Sequence, residues 1–180
     1  MSAYNYKDGD SRKDAMQIRD AVEADLPAIV TIYNAAIPSR NSTADLFPIT
    51  VESRRDWFFN HNPERRPLWV LTLAEEIVAW IGLSSFYGGR PAYDATAEIS
   101  IYIAPKHQGK GYGSLLVSQM LDAAPRLGVT TFLAIYFDHN EASRKLFHRF
   151  GFKPMGHLPA IAELDGIRRG VIIAGWQNPA

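Results

Sequence analysis

The stretch that decides the fold is EISIYIAPKHQGKGYG, residues 98–113. Polar Glu98, Ser100 and Tyr102 alternate in it with isoleucines, which is the pattern of a strand with one polar face. This strand is predicted to run straight into a loop with three glycines, and a helical pattern of leucines follows over residues 115–121. A strand, a glycine loop and a helix are therefore expected without a break between them.

The glycine loop lies between a strand and a helix N-terminus. Unpaired backbone N–H groups and the positive helix end make that position a site for phosphate oxygens. The dinucleotide-binding fingerprint does not fit, because Ser114 stands where its third glycine is required and Gly113 comes one residue early. The Walker pattern does not fit either, because Lys110 precedes its second glycine. Taken alone, the loop is also compatible with a purely structural turn.

The charges around the loop favour an anion site. Residues 106–153 hold seven lysines and arginines against three aspartates and glutamates. A solvated helix face explains part of this excess, but its overlap with the glycine loop favours a ligand that carries several phosphates. Coenzyme A is such a ligand.

Composition limits the class of protein. The chain has 180 residues, of which 47% are apolar and 21% charged, as expected of one soluble domain. Its 19 basic and 19 acidic residues cancel, which argues against a general attraction to nucleic acid or to an anionic membrane. The absence of cysteine excludes disulfides and thiolate chemistry, and we therefore expect a cytoplasmic protein.

The ends of the folded part can also be predicted. Residues 1–17 are polar and charged, unlike a signal peptide, and we expect them to form a flexible leader. One domain is predicted over residues 18–177. Its longest apolar run, residues 68–83, is interrupted by Glu75-Glu76 and is shorter than the roughly 18 residues of a membrane span. No membrane partner is expected.

The rest of the chain contains patterns of both helices and strands. Helices are predicted over residues 23–33, 51–62 and 140–150, and strands over residues 68–74, 77–87, 130–137, 157–164 and 167–176. Asp165-Gly166 marks the turn of the last hairpin. The fold class is therefore expected to be α+β.

Three stretches together resemble the GNAT superfamily of N-acetyltransferases. They are residues 98–113, Asn140-Glu-Ala-Ser-Arg-Lys-Leu and Gly151-Phe152, in this order and at matching spacing. The resemblance implies a mixed, mostly antiparallel central sheet flanked by about four helices. It also implies that the central strands splay apart to form a cleft for acetyl-CoA.

A second set of residues is similar to one branch of that superfamily, the phosphinothricin and methionine sulfoximine acetyltransferases. The set comprises Asp25-Leu-Pro-Ala-Ile, Ile32-Tyr-Asn, Ser85-Phe86, Arg90, Ala92-Tyr93, Thr96 and Glu98. The branch implies a small-molecule amine acceptor and a homodimer with acceptor sites near the subunit interface.

The resemblance implies which residues bind acetyl-CoA. Backbone amides of the loop would bind the pyrophosphate, and they belong to Gln108, Gly109, Lys110, Gly111, Tyr112 and Gly113. Ile101, Tyr102 and Ile103 of the preceding strand would contact the pantetheine arm. Asn140 and Ser143 would contact that arm from the other side.

The resemblance also names candidate residues for the chemistry and the acceptor. Glu98 would be the catalytic base, because amine acetylation requires a proton to leave an ammonium group. The alternative is a strand glutamate that faces solvent. Arg90 and Tyr93 would bind the acceptor, since an arginine fork suits a carboxylate or a phosphinate. The alternative for Arg90 is an exposed charge on a mobile loop.

One position departs from the superfamily. Members often carry a tyrosine or a histidine after the leucine of the Asn-x-x-Ser helix, but this chain has Phe147 there. Phenylalanine cannot donate a proton to the leaving thiolate. Tyr136, His148 or water would then replace it, or the thiolate would leave unprotonated, since a thiol has a pKa of about 8.5.

Other conspicuous residues receive structural interpretations. Aromatic residues at helical or strand spacing usually face the interior. Core positions or subunit contacts are therefore expected for Trp57, Phe58, Phe59, Trp69 and Trp80. The Arg54-Arg55 and Arg65-Arg66 pairs are expected on solvated faces.

Together these observations predict an acetyl-CoA-dependent N-acetyltransferase. It would transfer acetyl directly to the primary amine of a small amino-acid-like acceptor, of the phosphinothricin or methionine sulfoximine or sulfone type, without a metal. Within the superfamily, the alternative acceptors are a protein N-terminus, a polyamine or an antibiotic amine. The alternative outside enzymes is a CoA-binding regulatory module, which Phe147 favours.

Overall fold

The computed structural model describes residues 16–178 and leaves residues 1–15 and 179–180 undescribed. The described residues form one seven-stranded sheet with helices on both sides. The leader expected over residues 1–17 lies outside the described residues as far as residue 15, whereas Met16 and Gln17 belong to the first strand.

The described elements alternate much as the sequence predicts. The strands are β1 (Met16–Asp20), β2 (Leu68–Leu73), β3 (Glu76–Ser85), β4 (Thr96–Ile103), β5 (Thr131–Phe137), β6 (Lys153–Leu164) and β7 (Ile167–Gln177). The helices are α1 (Leu26–Ala36), α2 (Arg55–Phe59), α3 (Tyr112–Asp122), α4 (Ala124–Leu127) and α5 (Glu141–Arg149). Between residues 16 and 178, none of the helices has the length and apolar character needed to cross a membrane.

The order of the strands across the sheet is β1-β2-β3-β4-β5-β7-β6. Neighbours β4 and β5 are parallel, and every other neighbouring pair is antiparallel. A parallel pair needs a long crossover connection, which α3 and α4 provide here. The mixed, mostly antiparallel sheet predicted from the sequence is thereby confirmed.

The two sides of the sheet are covered by different helices. On one side, which we call the α1 face, Trp80 of β3 belongs to a buried cluster with Ile29 and Tyr33 of α1. On the other side, the α3 face, Ile81 of β3 belongs to a second buried cluster with Leu116 of α3. Successive strand residues alternate between the two faces.

The register of β3 and β4 shows on which face of the sheet the polar residues Glu98, Ser100 and Tyr102 lie. It pairs Trp80 with Tyr102, Gly82 with Ser100 and Ser84 with Glu98. All three pairs lie on the α1 face, because each is two residues from the next along its strand. The polar face predicted for this strand is therefore the α1 face.

The second predicted helix is shorter than expected. Instead of a helix over residues 51–62, a 3-10 turn (Glu52–Arg54) leads into α2, which ends at Phe59. Trp57 and Phe58 are only half-buried, and Phe59 is exposed. A segment that buries so little apolar surface gains too little packing energy to extend its helix.

Candidate active site

A gap opens between the two parallel strands at the centre of the sheet. They pair at only three positions, Thr96 with Thr131, Ala97 with Phe132 and Glu98 with Leu133. Beyond Glu98, β4 continues to Ile103 paired only with β3, while β5 continues to Phe137 paired only with β7. The central strands therefore splay apart as predicted, and the gap begins at Glu98.

The backbone of β4 directs polar groups into this gap. Ala104 N donates a hydrogen bond to Val78 O at 2.9 Å, on the β3 side of the strand. Because backbone groups alternate sides along a strand, those of Ile101 and Ile103 point the opposite way, into the gap. The carbonyl of Ile103 also accepts a hydrogen bond from Gln108 Nε2 at 3.3 Å. Both isoleucines lie where an extended ligand in the gap would meet them.

Tyr102 has a different environment from these neighbours. Its ring stacks on Trp80 of β3, with 4.8 Å between ring centroids, and its hydroxyl donates a hydrogen bond to Ser42 O at 2.9 Å. Burial raises the pKa of Tyr102, so the phenol keeps its proton for this bond. The structure therefore does not bring the side chain of Tyr102 into the gap.

Asn140 also uses its side chain elsewhere. It is the N-cap of α5, and only 2% of its surface is exposed. Its Oδ1 accepts a hydrogen bond from Ser143 N at 3.0 Å, and its Nδ2 donates to Asn41 O at 2.8 Å. Both ends of the amide are thus occupied. Ser143 is half-buried at the start of α5.

A segment of three residues, Arg40 to Ser42, crosses the gap on the α1 face, and we call it the strap. Its carbonyl oxygens accept hydrogen bonds from both sides of the gap. Tyr102 donates from β4, while His139 and Asn140 donate from the connection that follows β5. The bond from His139 Nε2 to Arg40 O measures 2.9 Å. The strap therefore links the two strands where they no longer pair with each other.

The glycine loop leaves the start of α3 open. Gly109 and Gly111 have φ angles of 74° and 85°, which favour glycine, and no atom lies within 4 Å of a Cβ built on either. Gly111 is the N-cap of α3, and no side chain in the described chain caps that helix. Lys110 is exposed between the two glycines, and Tyr112 begins the helix. Free N–H groups beside open space fit the pyrophosphate of acetyl-CoA.

Gly113 differs from the other two glycines of the loop. It is buried, and a Cβ there would lie 3.3 Å from Ile103 Cδ1 and 3.4 Å from Leu146 Cδ2. The missing side chain lets α3 approach β4 and α5 closely. Gly113 therefore serves packing, whereas Gly109 and Gly111 border open space.

Glu98 lies where the strands separate. Its side chain is half-buried on the α1 face, beside Ser84 of β3 and Leu133 of β5. Burial raises the pKa of Glu98, and no charged or hydrogen-bonding partner in the described chain offsets this effect. Such a carboxylate can take a proton from an ammonium group. Over residues 16–178 there is no cluster of three or more His, Cys, Asp or Glu that could hold a metal ion.

The connection from β3 to β4 carries the predicted acceptor residues. Arg90 and Tyr93 are both exposed there. The ring centroid of Tyr93 lies 5.4 Å from that of Phe86 and 6.1 Å from that of Tyr87. Because this connection leads into the start of β4, both residues lie at the Glu98 end of the gap.

Known proteins are similar to this chain in sequence. The sequence profile of the Acetyltransferase (GNAT) family matches residues 27–152. The chain belongs to the GNAT family. It is 48% identical to YwnH of Bacillus subtilis over 164 residues. The matched region covers 89% of this chain and 98% of YwnH. It is 31% identical over 151 residues to an L-methionine sulfoximine/L-methionine sulfone acetyltransferase of Pseudomonas aeruginosa, which covers 83% of this chain and 87% of that protein.

A solved structure extends this comparison to the fold of the GNAT chain. It is a GNAT superfamily phosphinothricin acetyltransferase from Sinorhizobium meliloti in complex with acetyl-CoA, with a TM-score of 0.83 and 25% identity. The match covers 90% of this chain and 88% of the other. The GNAT fold and the acetyltransferase class predicted from the sequence are both confirmed.

In this GNAT acetyltransferase, small residues surround Glu98 on the α1 face. The neighbouring positions of β3 and β4 carry the small residues Gly82, Ser84 and Ser100. Beyond them the face becomes bulky, with the stacked rings of Trp80 and Tyr102. We call the half-buried surface formed by Ser84, Ser100 and Glu98 the Glu98 recess. Gly82, at its edge, is buried.

One arginine of this GNAT chain contradicts the sequence prediction. The Arg65-Arg66 pair was expected on a solvated face, but only 7% of the surface of Arg66 is exposed. Its Nη2 donates to Asp94 O at 2.7 Å and to Thr96 O at 3.3 Å. These bonds compensate for burial of the charge and hold the end of the loop that carries Arg90.

Phe147, where the resemblance implies a tyrosine or a histidine, is buried in α5. Its ring is nearly parallel to that of Tyr136, with 6.1 Å between the ring centroids and 10° between the ring planes. Burial raises the pKa of Tyr136, which makes its phenol a weaker acid. His148 is exposed, so its ring lies away from the core in which Phe147 packs.

Proposed function

We propose that this GNAT protein transfers the acetyl group of acetyl-CoA directly to the primary amine of a small amino-acid-like acceptor. The acceptors are of the phosphinothricin or methionine sulfoximine and sulfone type. The observation that carries the proposal is the half-buried carboxylate of Glu98 at the start of the gap. The acceptor class follows the names of the Pseudomonas aeruginosa relative and of the Sinorhizobium meliloti structure.

Acetyl-CoA supplies the activated acetyl group. The N–H groups of residues 108–113 would bind its pyrophosphate, since Gly109 and Gly111 leave space beside the backbone. The backbone of Ile101 and Ile103 would pair with the pantetheine arm in the gap.

Tyr102 and Asn140 would support acetyl-CoA indirectly. Both hold the strap over the gap through its carbonyl oxygens. Ser143, whose N–H is bonded to the Asn140 cap, would line the other side of the arm. The role that the resemblance implies for Tyr102 and Asn140 as direct contacts is therefore replaced by a positioning role in this proposal.

Glu98 would remove the proton that the acceptor must lose before its nitrogen can attack. A pKa raised by burial makes the carboxylate a stronger base. The Glu98 recess would take a small amine, because the side chains on its floor, Ser84 and Ser100, are small and only half-buried.

Arg90 and Tyr93 would hold the acid group of the acceptor at the mouth of the recess. A guanidinium donates two parallel hydrogen bonds to a carboxylate or a phosphinate. Arg66 stabilises the end of this loop by donating hydrogen bonds to the carbonyl oxygens of Asp94 and Thr96. A loop held at its end loses less freedom when the acceptor binds.

Coenzyme A would leave as a thiolate without a proton from the protein. Phe147 has no proton to give, and burial makes the neighbouring phenol of Tyr136 a weaker acid. A thiol pKa of about 8.5 makes the thiolate a tolerable leaving group near neutral pH.

A homodimer is the assembly that we propose. Exposed apolar side chains concentrate on the last three strands of the sheet, and they are Ile135, Met155, Leu158, Ile161 and Ile167. Such a concentration is typical of an interaction surface, and β6 is also an edge strand. Light scattering of the wild type and of Ile161→Lys tests this assembly, and a monomeric wild type would contradict it. The cytoplasmic location stays a prediction.

An acetylation screen tests the proposed activity. The full chain is incubated with acetyl-CoA and either methionine sulfoximine, methionine sulfone, phosphinothricin or a free amino acid, and spermidine and a short peptide serve as alternative amines. We expect turnover of the amino-acid analogues at the highest kcat/KM. Preference for spermidine or the peptide would contradict the acceptor class. Binding of acetyl-CoA without turnover of any amine would favour the regulatory module instead.

A further inference from the structure

His61 has a fixed ring orientation on the α1 face. It follows α2, and its Nδ1 lies 2.9 Å from the carbonyl oxygen of Trp57. A carbonyl oxygen can only accept, so Nδ1 carries the proton of this bond. In the neutral ring the lone pair is therefore on Nε2, which makes Nε2 a hydrogen-bond acceptor.

Nε2 of His61 lies over Gly82, at the edge of the Glu98 recess. A Cβ built on Gly82 would be 3.2 Å from Nε2 and 3.7 Å from Cδ2 of the ring. Any side chain at this position would push the ring away, so the glycine permits the close approach. The sequence pattern gave no signal for His61, because its neighbours on the strands are distant in the chain.

The strand register relates His61 to Glu98. Gly82 pairs with Ser100, and Ser84 pairs with Glu98, so Gly82 and Glu98 are diagonal neighbours on one face. Diagonal side-chain positions on an antiparallel pair are about 7–8 Å apart. A tetrahedral nitrogen that donates two hydrogen bonds of about 2.9 Å joins acceptor atoms roughly 5 Å apart. The imidazole and the carboxylate therefore border the same part of the α1 face, on either side of Ser84 and Ser100.

The ring of His61 has the charge state that this geometry requires. Burial, and then the nearby positive charge of Arg54, lower the pKa of His61. Asp20 of β1 and His61 line the same small cavity. The imidazole is thus neutral near neutral pH and can accept a hydrogen bond at Nε2.

We infer that His61 Nε2 accepts a hydrogen bond from the amino group of the bound acceptor, on the side of the recess opposite Glu98. The inference rests on the proposed function, because it assigns a second contact to the same acceptor. Glu98 takes the proton that the ammonium loses, while His61 holds a remaining N–H and so orients the nitrogen for attack. His61 contributes to acceptor binding and leaves the binding of acetyl-CoA unaffected.

Two substitutions separate the two ring nitrogens. His61→Asn places an amide N–H near the position of Nδ1 and removes the group at Nε2, so the bond to Trp57 is kept. His61→Gln places an amide near the position of Nε2 and loses the bond to Trp57. We expect His61→Asn to lower kcat/KM for the acceptor by about 10- to 100-fold, with the dissociation constant of acetyl-CoA unchanged. His61→Gln should recover part of this loss.

His148→Asn is the matched control, since this histidine is exposed on α5. It should leave both constants at wild-type values. Wild-type acceptor kinetics in His61→Asn, or an equal loss of acetyl-CoA affinity, would overturn the inference. If neither His61 variant folds, the ring nitrogen resonances of the wild type give a second test. Binding of methionine sulfone in the presence of coenzyme A should shift Nε2 of His61, and an unmoved resonance would also overturn the inference.

The outcomes distinguish this inference from the proposed function. A wild type that acetylates none of the amines contradicts the proposed function, and the role of His61 is then refuted with it. An active wild type with an indifferent His61→Asn contradicts the role of His61 alone.

Discussion

The hydroxyl of Tyr102 donates a hydrogen bond to the carbonyl oxygen of Ser42, 2.9 Å away and 60 positions distant in the chain. It attaches the strap to β4, while Asn140 attaches the strap to the far side of the gap across 99 positions. The gap is thus open between its strands but bridged on the α1 face. The resemblance assigns Tyr102 and Asn140 to contacts with acetyl-CoA, but their side chains bond to the strap. No local sequence pattern marks the strap.

Removal of this hydroxyl tests the role of the strap. Tyr102→Phe keeps the ring on Trp80 and removes the hydroxyl that donates to Ser42. We expect the free energy of unfolding to fall by about 1 kcal/mol and the amides of residues 40–42 to exchange faster with solvent. Denaturant unfolding and hydrogen exchange measure both quantities. Tyr87→Phe is the control because Tyr87 is exposed, and equal behaviour of the two variants would contradict an anchoring role.

The fold could be predicted largely from local patterns, with β1 as the clearest exception. The run from β4 through the loop to α3 has strong periodicity and turn residues at every boundary. Strand β1 has only five residues and no such pattern, and its pairing of Met16 with Leu73 depends on a segment far along the chain. Tertiary pairing therefore decides this strand, and local propensity does not.

The candidate site could be predicted only where a motif lies in one continuous stretch. Glu98 and the loop glycines belong to such a stretch, and the structure places them at one gap. The sequence analysis placed Arg66 wrongly on a solvated face and did not identify His61, and both failures have the same cause. The burial of the first and the position of the second over Gly82 arise from contacts with strands and loops far away in sequence.

A bulky residue in the glycine loop should block acetyl-CoA. Gly111 has a φ of 85° and open space beside it, so Gly111→Val adds bulk where the pyrophosphate would lie. We expect calorimetry to show no measurable binding of acetyl-CoA. Strain from the positive φ should cost about 1–2 kcal/mol of stability as well.

A matched glycine controls for that strain. Gly166 has a φ of 81° and also has no atom within 4 Å of an added Cβ, but it lies in the turn between β6 and β7. Gly166→Val should therefore lose similar stability and keep its affinity for acetyl-CoA. Unchanged affinity in a folded Gly111→Val would show that the loop does not hold the phosphates.

Glu98→Gln separates the base from the scaffold. We expect kcat to fall by roughly 100- to 10,000-fold while acetyl-CoA binds as in the wild type, because the lost function is removal of a proton. The deficit should shrink at high pH, where the acceptor is already a free amine. Steady-state kinetics and calorimetry provide the two measurements, and wild-type turnover at neutral pH would exclude Glu98 as the base.

The raised pKa of Glu98 fixes the direction of two pH effects. The carboxylate is a base only when ionised, so kcat/KM should fall as the pH falls through a pKa that lies above the ordinary 4.5. The free energy of unfolding also depends on this pKa, because Glu98 loses its proton at a lower pH in the unfolded chain than in the folded chain. Above the pKa values of both states, ionisation of Glu98 therefore lowers the free energy of unfolding. Glu98→Gln should therefore be at least as stable as the wild type at neutral pH. A lower melting temperature would contradict the burial of an unpaired carboxylate.

Tyr136→Phe tests whether the thiolate needs an acid. Burial makes the phenol a weaker acid, and a thiol pKa of about 8.5 allows the thiolate to leave without a proton. We expect kcat to change by less than about threefold. A loss of roughly 100-fold or more, with acetyl-CoA affinity intact, would instead identify Tyr136 as the general acid.

Arg90→Ala tests how the acceptor is held. If the guanidinium grips the acid group of the acceptor, KM for methionine sulfone should rise by about 10- to 100-fold while KM for acetyl-CoA stays unchanged, because only the acceptor loses a partner. Arg90→Lys should recover only part of the loss, since a point charge cannot form two parallel hydrogen bonds. Arg168→Ala is a suitable control for the loss of an arginine, because Arg168 is exposed on β7. Arg54 is unsuitable, because it packs over the rings of Tyr33 and Trp57. An amine without an acid group should react equally slowly with the wild type and with Arg90→Ala. If it loses as much as methionine sulfone does, Arg90 shapes the loop and does not bind the acid group.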